Sequence, residues 1–357
     1  MNNGEWAAEI KSCFVSTTSK KGPSGVTLPG SSQIGIDGNR ECVVIKMTDD
    51  GLSANMQTDK AAFEGWALAL RRWCGVEEIV LKWESPQNVH SGRHYQRFLY
   101  RVRRFQELFP TWFKVPELKR ECLRSARAFG PGPLILNVPG KRRSPDPTNT
   151  STTEREQVNA ERGLLREAAP EPSEAELEKK LYSSTTFKGF FKLDRVDRQR
   201  PVGLFNEKVA NGHRVFTGGN SAIDLIGIGD RTIYVFELKK HDNVSIGAIS
   251  ELFFYASVLR DAAGSGAPFQ FHEVKSAPGT TVGSPDIVNC ERIKAVLLHE
   301  IGVLPRHDIH PLLDKTLFDT LNEAATQKSY ALLGRVPVRF SCIRFCGTDK
   351  DFTFENR

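Results

Sequence analysis

The stretch SAIDLIGIGDRTIYVFELKK, residues 221–240, constrains this chain more than any other. Two apolar runs around a turn at Gly229–Asp230 read as adjacent β-strands. Each carries an acid where a core residue is expected, Asp224 in the first run and Glu237 in the second. Lys239 follows Glu237 by two residues, so on a strand both project from the same face. Three charges gathered on a buried sheet face are costly unless they are paired or hold an ion. Two carboxylates suit a hard cation such as Mg²⁺ or Mn²⁺, and a nearby ammonium stabilises negative charge on a phosphate. The pattern implies metal-assisted phosphodiester hydrolysis, with Asp224 and Glu237 as metal ligands and Lys239 as the catalytic cation. The rival account is an ion pair on an edge strand between Glu237 and Lys239, with Asp224 capping a turn.

The rest of the chain supplies a frame for this hairpin. Its 357 residues suggest two domains, and residues 138–173, polar and punctuated by Pro, separate them. The expected division is an N-terminal α/β domain at 1–140, a flexible linker at 141–172 and a second α/β domain at 173–357. A short helix is compatible with residues 154–167 of the linker. In the first domain, ECVVIKM and EEIVLKW read as strands and PLILNV as a last one. TDKAAFEGWALALRRWCG between the first two reads as a helix, with Phe63, Trp66, Leu70 and Trp73 on one face and Gly75 at its end. In the second domain SEAELEKKL reads as a helix capped by Ser173, SIGAISELFFYASVLRDA and HPLLDKTLFDTLNEAA as further helices, and IKAVLLHE and VRFSCIRF as strands. Helices alternating with strands predict one central sheet covered by helices.

Charge is uneven. The net charge is +6, yet residues 92–143 hold ten Arg and three Lys against three Glu. Arg93, Arg97, Arg101 and Arg104 recur at spacings of four, four and three, apart from the apolar stripe of Phe98, Val102 and Phe105. The expectation is an exposed arginine face that meets phosphates, against the blander account of a solvated helix surface.

The hairpin resembles the core of the PD-(D/E)XK, or restriction-endonuclease-like, nuclease superfamily: AID, a turn, then FELK. The resemblance covers about residues 173–345. It implies a restriction-endonuclease-like mixed sheet flanked by helices and a carboxylate-held Mg²⁺ or Mn²⁺. It also implies cleavage of nucleic acid, with DNA expected, in bacterial defence or mobile-element biology. It carries Asp224, Glu237 and Lys239 over as the site. The proline that often precedes the first acid is Ile223 here. An exonuclease-like branch bears a Gln and, four residues later, a Tyr on the next helix; the corresponding residues are Glu251 and Tyr255. Glu251 then stands either as a further metal ligand or as a group behind the ligands. Members often place an acid on the helix before the core strands, where Glu174, Glu176 and Glu178 are all candidates. The alternative reading is a non-catalytic nucleic-acid-binding or assembly module that keeps the fold. In either case the N-terminal domain is expected to recognise substrate or a protein partner.

Other chemistries are less well served. No GxxxxGK[ST] phosphate loop occurs. The seven cysteines lack the paired spacing of a zinc ribbon, and Cys74 reads as core. His299, His307 and His310 lie close in sequence; Pro305 and Pro311 make His307 and His310 loop histidines rather than ligands, while His299 falls in the strand IKAVLLHE. With no secretory signal or long apolar run in view, the expected location is the cytoplasm and no membrane partner is expected.

Overall fold

The computed structural model describes residues 1–18, 28–84, 93–116, 133–136, 172–241, 245–264, 267–271, 281–301, 315–323, 335–347 and 352–356. Residues 141–171 of the expected linker, with the helix suggested inside it, lie outside the described residues.

The N-terminal part runs α1 (Asn3–Thr18), β1 (Ile34–Gly38), β2 (Cys42–Met47), α2 (Asp49–Ser53), α3 (Phe63–Trp73), β3 (Glu78–Trp83), α4 (Arg93–Leu108) and β4 (Phe113–Lys114). Its four strands form one sheet in sequence order. The first pair is antiparallel and the next two are parallel. Phe63, Trp66, Leu70 and Trp73 are all buried, as their helical spacing requires. The chain leaves α3 through Gly75 at φ +68°, a left-handed conformation that suits glycine. Helix α4 stops at Leu108, just before Pro110.

The second part contains β5 (Leu134–Leu136), α5 (Glu174–Ser183), α6 (Thr185–Phe191), β6 (Arg195–Asn206), β7 (Arg214–Gly229), β8 (Thr232–Lys239), α7 (Gly247–Arg260), β9 (Phe269–Phe271), α8 (Ser284–Val288), β10 (Arg292–Glu300), α9 (Lys315–Leu321), β11 (Val338–Gly347) and β12 (Phe352–Asn356). They build an eight-stranded mixed sheet in the order β12-β11-β10-β8-β7-β6-β5-β9. Strands β8, β10 and β11 run parallel, and β6, β7 and β8 form an antiparallel meander. Ser173 caps α5 in a reciprocal capping box with Glu176. Asp230 and Arg231, both at positive φ, make the two-residue turn between β7 and β8, one position beyond the expected turn.

The strand expected to end the N-terminal domain instead joins the larger sheet. Strand β5 pairs with β6 on one side and β9 on the other. Its three apolar residues are all buried, so it requires cover on both faces and neighbours at both edges.

Each face of the large sheet has its own core. Tyr234, Phe236, Leu238, Val296 and Leu298 pack under Leu177, Leu181, Phe187 and Phe191 of α5 and α6. Ile233, Val235, Ala295 and Leu297 face α7, and that core continues without a break into Phe63, Trp66 and Phe105 of the N-terminal part. Helix α7 is therefore buried along its whole length, between the sheet on one side and α3 and α4 on the other. Strand β8, covered on both faces, is buried at every position, which explains its unbroken apolar sequence. No helix among the described residues is long and apolar enough to cross a membrane.

Candidate active site

The β7–β8 ladder runs from Gly229 opposite Thr232 to Leu225 opposite Phe236, which brings Asp224 beside Glu237 at the next step. Asp224 Oδ2 accepts the backbone N–H of Leu238 at 2.8 Å. Burial pushes the Asp224 carboxyl up to about 8, against the opposing pull of Lys239 and of the Leu238 N–H. Glu237 is more deeply enclosed; burial, then Asp224 and Glu251, raise its carboxyl well above the usual range.

Lys239 lies on the same face and bridges two acids. Its Nζ contacts Glu237 Oε1 and lies 3.3 Å from Glu251 Oε2. Burial alone works against the ammonium, but Glu237, Glu251 and Glu174 outweigh it and keep the lysine charged. Helix α7 delivers Glu251 and Tyr255 one turn apart. Tyr255 Oη donates to Glu251 Oε1 at 3.1 Å and lies 3.0 Å from Ser221 Oγ. Burial raises the Glu251 carboxyl, but Lys239 and the surrounding donors prevail and hold it below its ordinary value.

All five residues expected at the site thus come together: Asp224, Glu237, Lys239, Glu251 and Tyr255. The three glutamates of α5 separate clearly. Glu174 is near enough to act electrostatically on Asp224 and Lys239. Glu176 is engaged with Ser173, and Glu178 bonds Gln199 and lies 3.2 Å from Arg198. Two neighbours had no signal in the sequence. Ser221 reaches Tyr255, and Gln57, from the loop before α3, donates Nε2 to Glu251 Oε1 at 2.6 Å.

The donor set suits a hard cation. Asp224, Glu237 and Glu251 offer only oxygen, and Glu237 Oε2 is buried without a hydrogen-bond partner. Among the described residues no three His, Cys, Asp or Glu side chains stand ready arranged as a metal nest; the Lys239 ammonium lies between the two glutamates.

The arginine face is not solvent-exposed, contrary to expectation. Arg97, Arg101 and Arg104 are only 6%, 3% and 5% exposed. Arg101 forks onto Glu64, bonds Ala61 O at 2.8 Å and stacks over Phe63. Arg104 bonds Glu107 and Asp261, each at 2.6 Å. These guanidiniums are consumed by carboxylates that the rest of the fold brings to α4, so Arg101 and Arg104 are not available to phosphates. Arg97 meets His94 Nδ1 at 2.8 Å; burial, then Arg101, push its guanidinium down to about 10 against the opposing pull of Glu251, which it flanks. Arg93 begins α4, and its side chain is outside the described residues.

Among the histidines, His299 is on a strand, as the reading of IKAVLLHE requires. It lies on β10 in register with Lys239, buried, with Nε2 unpartnered. His307 and His310 lie outside the described residues. Cys74 is buried, as expected. Comparison with protein-family models, curated proteins and solved structures finds no match to this chain.

Proposed function

We propose that this chain is a metal-dependent phosphodiesterase, a nuclease of the PD-(D/E)XK type with a restriction-endonuclease-like core, and that DNA is its substrate. One observation carries the reading: Asp224, within β7, converges with Glu237 and Lys239 at the end of β8, with Glu251 and Tyr255 of α7 closing the site. Asp224 and Glu237 would hold Mg²⁺ or Mn²⁺, with Glu251 beside them. The ion, when bound, polarises the phosphodiester and favours ionisation of the attacking water. A cation there would also favour the ionised forms of Asp224 and Glu237, whose carboxyls burial raises. Released from its bridge, Lys239 is placed to neutralise charge developing on the phosphate oxygens. Tyr255, bonded to Glu251, keeps that carboxylate directed at Lys239. Arg97, within electrostatic reach of Glu251, would flank a phosphate bound at the site.

The test is incubation of pure protein with plasmid, linear duplex, single-stranded DNA and RNA in Mg²⁺, Mn²⁺ or chelator. Metal-dependent cleavage that Asp224→Ala abolishes supports the proposal. Absence of both cleavage and Mn²⁺ binding turns the reading toward a non-catalytic binding module.

A further inference from the structure

The N-terminal part meets the site along a fitted seam at the start of α7. Hydrogen bonds from three side chains cross it. Ser245 Oγ, with one proton to donate, lies 2.6 Å from Gln57 O and 2.7 Å from Asp59 Oδ1. Ser250 Oγ donates to Glu64 Oε2 at 2.8 Å. Gln57 Nε2 donates to Glu251 Oε1 at 2.6 Å. Two glycines allow the surfaces to close. A Cβ on Gly247 would lie 2.1 Å from Gln57 O, and one on Gly65 would lie 2.6 Å from Ile246 Cγ1. The backbones therefore approach more closely than any other residue permits.

We infer that Gln57 is a positioning residue of the site, and that the N-terminal part is a working component of the catalytic centre rather than a separate recognition module. This rests on the nuclease reading. The Gln57 amide is oriented from behind, because Asn55 Nδ2 donates to its Oε1 at 3.1 Å and leaves Nε2 to face Glu251. Glu251 Oε1 then receives two donors, Gln57 and Tyr255, and Oε2 is left to face Lys239. Without Gln57 only Tyr255 remains on Oε1, and the acid that shares Lys239 with Glu237 is held less firmly in its direction. The donor originates 194 residues before its acceptor, so substrate cleavage depends on docking of the two parts within one chain.

Gln57 is exposed, so replacing it leaves the core intact. The test uses full-length Gln57→Met, which keeps length and removes the donor. Mn²⁺ affinity by calorimetry is expected to fall about tenfold or more, the usual cost of losing a partner behind a metal site, in a variant that still folds cooperatively. In DNA cleavage kcat is expected to fall while KM holds. A urea-denaturation double-mutant cycle with Glu251→Gln, in chelator, is expected to show coupling. Wild-type Mn²⁺ affinity in Gln57→Met, or an additive cycle, overturns the inference. If the wild-type protein binds no Mn²⁺, the nuclease reading fails, and the metal-free cycle still decides whether Gln57 holds Glu251.

Discussion

The Arg104 guanidinium lies 2.6 Å from Asp261 Oδ2, where water reaches almost none of either residue. Tyr100 Oη donates to the same carboxylate at 2.7 Å, and Arg335 and Arg260 donate to its other oxygen at 2.6 and 3.1 Å. Burial would raise the Asp261 carboxyl; Arg104, Arg260 and Arg335 outweigh it and hold the carboxyl below its usual range. This hub ties α4 to the end of α7, and it accounts for part of the arginine row as internal structure.

Arg104→Ala leaves Asp261 and Glu107 each short of a partner inside the protein. Breaking a buried pair from one side typically costs about 3–5 kcal/mol. Urea denaturation should show a loss of that order, and the salt dependence of DNA binding by the folded fraction should not change. A variant as stable as wild type contradicts the structural role.

Asp224→Ala and Glu237→Ala should each reduce Mn²⁺ affinity by at least about a hundredfold and take cleavage to background. Asp224→Ala removes a carboxyl whose ionised form burial disfavours, so its melting temperature in chelator should be kept or raised, whereas Glu237→Ala also takes a partner from the buried Lys239 ammonium and should melt lower. Retained cleavage by purified Asp224→Ala rules out its assignment as a ligand.

His299 should make the protein acid-sensitive. Burial, with Arg344 and His241 nearby, pushes its imidazole down to about 4. The unfolded chain therefore takes up the proton first, near pH 6.5, so this residue's contribution is complete above that value and is lost as pH falls toward 4. The full shift is worth roughly 3 kcal/mol. His299→Leu should abolish that component, seen as a smaller stability loss than wild type between pH 7 and 4. Parallel pH profiles for the two proteins count against a buried neutral His299.

Gly247→Ala should loosen the seam. The added methyl meets the Gln57 carbonyl at 2.1 Å, a backbone atom that yields only if the N-terminal part shifts. A loss of about 1–3 kcal/mol is expected, with weakened Mn²⁺ binding even though Gly247 touches no ligand. Wild-type stability in this variant indicates a looser junction.

Local pattern was enough to identify most elements and the heart of the site. Asp224, Glu237 and Lys239 were legible because strand alternation and a two-residue turn act over a few residues and leave little freedom in where the side chains point. Glu251 and Tyr255 followed from helical spacing of four. Ser173 at the start of α5 was readable because an N-cap satisfies N–H groups within its own first turn.

What lay beyond local pattern depended on which surfaces meet. An arginine row at helical spacing looks the same whether water or carboxylates face it, and only the arrival of Glu64 and Asp261 decided for Arg101 and Arg104. Strand β5 carries no mark of the sheet it joins, because edge pairing is made by backbone groups common to every sequence. Glu174 was singled out from Glu176 and Glu178 by its nearness to Asp224 and Lys239, residues far from it along the chain. Gln57 reached Glu251 because close packing of α3 against α7 set a loop amide at hydrogen-bond distance, a relationship between distant segments that no spacing in the chain encodes.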